Sequence, residues 1–90
     1  MNNTEFNNLE AGTKVTMRAF DHDANEAVIT TATYNGWCDH PDWGTAVNVT
    51  YDNDACHMDD LFTPGVKETD TDIPVAQFLS NVEFAARLLI

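Results

Sequence analysis

The sequence predicts an α+β domain in which four to five short antiparallel strands precede one C-terminal helix. Strand-like alternation and turn signals recur between residues 13 and 65, whereas apolar residues at helical spacing begin only at Pro74. Ninety residues suit one domain, and a hydrophobic fraction of 43% excludes a disordered acidic tail. Strands of this kind form a small SH3-like barrel or a twisted meander, with the helix over one face or one open end.

This reading divides the chain into four segments. We expect a flexible N-terminal arm over residues 1–12 and an antiparallel β domain over 13–65. A polar linker over 66–73 then leads to an amphipathic helix over 74–90, which packs on the same domain.

The first two strands are predicted from alternation and from β-branched residues. From Lys14 to Phe20 apolar residues alternate with polar ones, which is typical of a half-buried strand. The polar segment 21–26 forms the hairpin loop, and Ala27 to Tyr34 is rich in Val, Ile and Thr. Asn35-Gly36 then predicts a tight turn.

The remaining strands are shorter. Segment 37–44, which contains Pro41, is expected to be an irregular loop or a short hairpin, and 45–51 alternates again as a strand. Segment 52–54 is the next turn, and a short strand over 55–62 ends the β part at Thr63-Pro64-Gly65.

The helix is predicted from Pro74 to Leu89. Proline is well suited to the first helical position, since it has no N–H to leave unpaired. An apolar stripe follows helical spacing and comprises Val75, Phe78, Leu79, Val82, Ala85, Ala86 and Leu89. Phe84, Leu88 and Ile90 extend this stripe beyond one packing face, and we expect them to form a homodimer interface.

The charge is strongly negative and unevenly distributed. The chain contains fifteen Asp and Glu residues and four Lys and Arg residues, so its net charge is −11. No Lys or Arg occurs between Ala19 and Val66. The acids of that window fall in small groups at predicted turns: Asp21, Asp23, Glu26, Asp39, Asp42, Asp52, Asp54, Asp59 and Asp60. Asp is a common turn residue, but that preference does not explain the absence of interleaved cations.

The charge also excludes several classes of function. Direct binding to DNA or RNA needs cations that neutralise phosphates, and anionic membranes attract basic segments for the same reason. The longest apolar stretch is interrupted by Glu83 and Arg87, which excludes a membrane span. The N-terminus has no basic or apolar signal region, so we expect a cytoplasmic protein.

Metal sites have weak sequence support. Cys38, His40, Cys56 and His57 are zinc-type ligands, but adjacent residues on a strand point to opposite faces, so Cys56 and His57 share an ion only at a bulge. Segment 21–25 matches the opening of a calcium-binding EF-hand loop, yet Glu26 stands where the loop needs Gly. We expect no bound metal or cofactor, and substoichiometric zinc by elemental analysis.

An enzyme is not expected either. Ser80, the one serine, lies inside the predicted helix, and the surrounding acids would raise a cysteine pKa rather than lower it. No glycine-rich phosphate loop is present, and a domain of this size has little volume for an active-site cleft.

The aromatic residues complete the predicted binding surface. Trp37, Trp43 and Tyr51 lie in the acidic window, where aromatic anchors ringed by carboxylates would suit an Arg-rich partner. One or both Trp residues would otherwise belong to the core. In size, charge and compactness the chain resembles small acidic proteins of phages and mobile elements that block restriction, CRISPR or other host DNA-binding machinery.

The sequence thus predicts a non-enzymatic protein that imitates nucleic acid on the basic surface of a partner. Two other classes stay open: an ordinary protein–protein interaction module or structural subunit, and a Cys/His metal-binding module. Adaptation to high salt would explain the acids without any partner.

Overall fold

The structure, a computed structural model, describes residues 1–56, 58–59, 67–68 and 70–88, with backbone pairing alone for 58–59 and 67–68. The elements in order are α1 (Asn3–Asn7), β1 (Lys14–Asp21), β2 (Glu26–His40), β3 (Gly44–Tyr51), β4 (Met58–Asp59), β5 (Lys67–Glu68), β6 (Asp70–Pro74) and α2 (Val75–Leu88). The α+β class with its C-terminal helix is confirmed. One antiparallel sheet has the order β1-β2-β3-β6, and β4 pairs with β5 separately.

The main sheet is open. Its edge strands β1 and β6 do not pair with each other, so closure into an SH3-like barrel is not confirmed. Helix α2 contacts β1, β3 and β6, and therefore packs against both edge strands.

The predicted turn at Asn35-Gly36 is wrong, because β2 runs through it for 15 residues. The pairing shifts there from Tyr34 opposite Val49 to Gly36 opposite Asn48, which defines a β-bulge. Gly36 has φ +111°. The Asn-Gly pair predicted a turn because glycine readily adopts positive φ, but here that conformation occurs in a bulge.

The turn between β2 and β3 lies seven residues later. His40 pairs with Gly44 across Pro41–Trp43, and Gly44 has φ +72°. A three-residue loop with a left-handed residue at its end is a common hairpin connection. Of the two expectations for segment 37–44, the short hairpin is the observed one.

The predicted linker 66–73 is wrong over its second half, where β6 pairs with β3 from Asp70 opposite Thr50 to Pro74 opposite Ala46. Thr71 and Ile73 alternate with Asp70 and Asp72, which is a strand pattern. Sequence reasoning missed it because Asp has a low strand propensity, whereas the pairing depends on partners 20 or more residues away.

The N-terminal arm also contains more structure than expected. Asn2 caps α1, since its side-chain oxygen accepts from the Glu5 backbone N–H at 2.8 Å. Phe6 is buried, with its ring 5.5 Å from that of Trp37 and 6.0 Å from that of Phe78. An aromatic contact thus anchors the arm to the domain.

The core lies between one face of the sheet and α2. Sheet residues Val15, Met17, Ala32, Tyr34, Val47, Val49 and Ile73 pack with Phe78 and Val82 of the helix. These residues follow the period of two on the strands and helical spacing on α2. The helix begins at Val75, one residue later than predicted, because Pro74 is still paired in β6.

Neither helix in the described part of the chain has the length and apolar character that a membrane crossing requires.

Candidate functional site

The acids of the window gather mainly at two ends of the molecule. Strand β2 would span about 45 Å if straight, close to the 40 Å longest dimension of the protein. The β1–β2 turn at one end carries Asp21, Asp23 and Glu26, and the β2–β3 turn at the other carries Asp39 and Asp42. The acidic turns therefore do not merge into one patch.

A backbone contact brings a third acidic group to the first end. The His22 N–H donates to the Ala55 carbonyl at 2.8 Å, which holds the loop after β3 against the β1–β2 turn. Asp54, which is exposed, directly precedes Ala55 in that loop. We call this set the hairpin-end acids: Asp21, Asp23, Glu26 and Asp54. Asp52 is not one of them, because it contacts Lys14 at the other end of β1 and bonds to Thr31 within β2.

Local hydrogen bonds order the β1–β2 turn. The Asp21 carboxylate accepts from the backbone N–H groups of Asp23 and Ala24 at 2.9 and 2.8 Å. Asn25 adopts φ 56°, a left-handed conformation that asparagine tolerates well. Strands flank the turn on both sides, as predicted, and not the helices of an EF-hand.

At the opposite end, the β2–β3 turn places its two acids beside the stacked rings of His40 and Trp43. The Trp43 ring lies on the His40 ring with centroids 3.8 Å apart and an interplanar angle of 12°. His40 Nδ1 accepts from the Asp42 N–H at 3.1 Å, which orients the imidazole. Asp39 and Asp42 are exposed, and we call them the turn-end acids.

The cations with described side chains leave most of these acids unneutralised. Lys14 contacts Asp52 at 2.6 Å, Arg87 contacts Glu83 at 2.8 Å, and the Arg18 guanidinium lies 4.8 Å from the centroid of the Phe84 ring. Glu26, Asp39, Asp42 and Asp54 have no ion-pair partner among the described side chains.

Asp52 differs from the other acids of the window. Its carboxylate accepts from Lys14 and from the Thr31 hydroxyl, at 2.6 and 2.5 Å. Both bonds lower the pKa of Asp52, that from Lys14 most. Because its charge is already balanced within the fold, Asp52 is less available to a basic partner than the sequence suggested.

The predicted aromatic anchors do not form one patch. Trp37 is 59% exposed and stacks on Phe6, on the sheet face that carries α1. Trp43 is 48% exposed and stacks on His40, whose position on β2 places it on the opposite face. Neither Trp is a core residue. Tyr51, the last residue of β3, is half-buried.

Sequence reasoning missed two acids on β6. Asp72 accepts from the Asn48 amide at 2.9 Å, and Asp70 accepts from the Thr50 hydroxyl. The bond from Asn48 is the main cause that lowers the pKa of Asp72, and a bond from the Cys38 thiol adds to it. The alternation in Thr-Asp-Thr-Asp-Ile was the available signal, since it predicts carboxylates on the solvent face of a strand.

The potential zinc ligands are separated. Cys38 is opposite Ala46, at the start of β3, whereas the buried Cys56 follows the end of that strand. The six residues from Ala46 to Tyr51 already span about 17 Å, at about 3.4 Å for each of the five steps. Both cysteines are free thiols, and within the described residues no three His, Cys, Asp or Glu side chains cluster as metal ligands.

Several predicted site residues lie outside what the structure describes. These are the whole of His57, Asp60 and Ile90 and the side chain of Asp59. The other predicted dimer residues, Phe84 and Leu88, are 42% and 61% exposed on α2.

No protein family, no curated protein and no solved structure matches this chain.

Proposed function

We propose that this protein is a small acidic, non-enzymatic binding protein that occupies a basic, nucleic-acid-binding surface of another protein. The observation that carries the proposal is the imbalance of surface charge. Four exposed window carboxylates have no cationic partner among the described side chains, while Lys14 and Arg87 are each paired with an acid. A net charge of −11 opposes compact folding through self-repulsion, so a role in binding gives a reason for its presence.

The spacing of the acids supports nucleic-acid imitation. The hairpin-end and turn-end acids stand at opposite ends of a molecule 40 Å long. One turn of duplex DNA measures about 34–36 Å, so acids separated by the length of β2 are on the same scale as phosphates about one helical turn apart. A groove that holds a duplex would therefore contact both acidic ends at once.

The mechanism under this proposal is competitive. Carboxylates pair with Lys and Arg of the partner through charge-assisted hydrogen bonds, and the exposed ring of Trp43 beside the turn-end acids offers a surface on which Arg can stack. Opposite charges accelerate association at low salt, and the complex weakens as salt rises. The partner then cannot hold its nucleic acid.

The cellular setting follows from the resemblance to acidic counter-defence proteins. We place the protein in the cytoplasm, which for a phage-encoded chain is the cytoplasm of the host. Restriction, CRISPR or other DNA-binding machinery would be the class of target.

The test is capture of partners from a host lysate on the immobilised protein, at low and high salt. We expect a basic nucleic-acid-binding protein that elutes with salt and is also displaced by duplex DNA. The matched control is the variant Asp39→Lys with Asp42→Lys, which should retain much less of it. An acidic or neutral partner that duplex DNA does not displace would contradict the proposal and favour an ordinary interaction module.

A further inference from the structure

A cavity of about 410 Å³ opens between the two edge strands that the sheet leaves unpaired. Residues 18–20 of β1 and Thr71 and Ile73 of β6 form two of its sides, and Gln77 and Asn81 of α2 form a third. Small-molecule sites measure about 300–1,000 Å³, so the volume suits a small ligand.

The described residues that line this cavity differ in charge from the molecule as a whole. The chain has 15 acids, yet no Asp or Glu is among the described residues that line the cavity. A second cavity of about 420 Å³, between the N-terminus and α2, is lined by Glu5 and Glu83. Among the described lining residues, the two cavities therefore differ in their content of acids.

Arg18 is the one Lys or Arg among the described residues that line this cavity. Of the three cations with described side chains, Arg18 alone makes no ion pair with a described carboxylate. Its guanidinium lies over the Phe84 ring at 4.8 Å, and Phe84 itself is not among the described lining residues. No described carboxylate occupies the N–H groups of Arg18. An unpaired guanidinium in a chain so rich in carboxylates suits a negatively charged ligand.

The lining also contains His22, Tyr51 and Cys56, and the last two carry no charge that would repel an anion. Burial raises the pKa of the Cys56 thiol and of the Tyr51 hydroxyl, so both are neutral at neutral pH. The Asp21 carboxylate at the nearby turn is not among the described lining residues, but its charge adds to the effect of burial in raising the pKa of the Cys56 thiol. Two backbone N–H groups of its own loop donate to this carboxylate. The amides of Gln77 and Asn81 add neutral donors, and Phe20 adds an aromatic wall.

We propose that this cavity binds a small aromatic carboxylate, with the carboxylate on Arg18 and the ring against Phe20. Arg binds a carboxylate through two parallel N–H bonds, and rings pack edge-to-face or offset on one another. The proposal does not depend on binding by the acidic ends of the molecule, although His22 and Ala27 place the cavity beside the β1–β2 turn.

The experiment is a titration of the ¹⁵N-labelled protein with benzoate up to about 10 mM, which detects a Kd of about 1 mM. We expect amide shifts confined to the cavity, at Phe20, Thr71, Gln77 and Asn81. Benzyl alcohol has the same ring without the charge and should bind at least about tenfold more weakly, since it forfeits the charge-assisted bonds. No shift with benzoate, or equal affinity for both probes, would overturn the proposal.

Arg18→Gln should weaken benzoate binding at least about tenfold, because it removes the charge and keeps most of the side-chain length. Arg87→Gln is the matched control, since Arg87 is exposed and paired with Glu83 away from this cavity, and it should leave the affinity unchanged. Equal loss in both variants would mean that general charge, and not the cavity, attracts benzoate.

Arg18 also packs on Phe84, so the melting temperature of Arg18→Gln must be measured first. If that variant does not fold, Arg18→Lys keeps the charge and loses the planar fork. It should then bind benzoate several-fold more weakly and benzyl alcohol as the parent protein does. Unchanged benzoate affinity in Arg18→Lys would overturn the assignment of the carboxylate to the guanidinium.

Discussion

Asp52 shows how one residue acquires a role that its neighbours in the acidic window lack. It is exposed, like Asp54 two residues later, but it alone of the two accepts from Lys14 and Thr31. The partners come from β1 and β2, and Asp52 reaches them because its N–H bonds to the Thr31 carbonyl at 3.0 Å. Tertiary contacts thus divide two similar acids into one that supports the fold and one with no ion-pair partner among the described side chains.

We predict that Asp52→Asn lowers the melting temperature near neutral pH, whereas Asp54→Asn leaves it unchanged or raises it slightly by relieving repulsion. The pKa of Asp52 is lowered in the folded protein, so its contribution is present above the unfolded value of about 3.9 and is lost as pH falls below it. The difference in melting temperature between the parent protein and Asp52→Asn should therefore shrink as pH drops from 6 toward about 3. A constant difference across that range would show that the carboxylate charge is not the cause.

At the scale of elements, α2 fixes the arrangement of the other parts. Its residue Phe78 is fully buried, with its ring 5.8 Å from that of Tyr34 on β2 and 6.0 Å from that of Phe6 on α1. One side chain of the helix therefore joins the sheet and the N-terminal segment.

Phe78→Ala should lower the free energy of unfolding by about 3–5 kcal/mol, since it leaves a cavity among buried aromatic rings. Phe84→Ala, on the same helix but 42% exposed, is the matched control and should cost much less. Urea unfolding of both variants gives the comparison. Equal losses would mean that the helix packs on the sheet through a different face.

A second element-scale prediction concerns the exposed edge of α2. Phe84 and Leu88 lie on the surface, and we expect two copies to pair through them into a homodimer. Each copy carries a charge of −11, so dimerisation should strengthen with salt, opposite to the binding of a basic partner.

Sedimentation equilibrium at two salt concentrations measures this. The parent protein should exceed its 10.0 kDa monomer mass more strongly at high salt, and Leu88→Glu should stay monomeric. A monomer at every concentration and salt would contradict the homodimer.

At the scale of the whole molecule, charge opposes stability and supports the proposed function. Repulsion between surface carboxylates works against the compact state, and the turn-end acids Asp39 and Asp42 have no ion-pair partner among the described side chains to relieve it. Function and stability should therefore respond in opposite directions to charge reversal at that end.

We predict that Asp39→Lys with Asp42→Lys weakens binding of the captured partner by an order of magnitude or more at low salt, and leaves the melting temperature equal or slightly higher. The matched control, Glu5→Lys with Glu10→Lys, makes the same change of charge outside the window and should affect binding much less. Equal losses of binding in the two double variants would mean that the acids contribute only to general solubility. Normal binding by the turn-end variant would contradict nucleic-acid imitation.

The sequence by itself determined the α+β class, the first strand, the position of the C-terminal helix and the cation-free acidic window. Each of these depends on the local hydrophobic period, on the composition or on the number of charged residues, and all three can be read from the sequence without knowledge of the fold. Asn35-Gly36 shows the limit, since the same positive φ serves a turn or a bulge and only the pairing of β2 with β3 selects the bulge.

The tertiary structure alone decided the features that carry the proposals. Pairing with β3 turns the Asp-rich segment 70–74 into a strand, and the length of β2 sends the acidic turns to two ends. Partners distant in sequence leave Asp54 without the cation that Asp52 holds, and leave Arg18 beside a cavity. These outcomes depend on which groups meet across the sheet, and periodicity along one chain does not specify that.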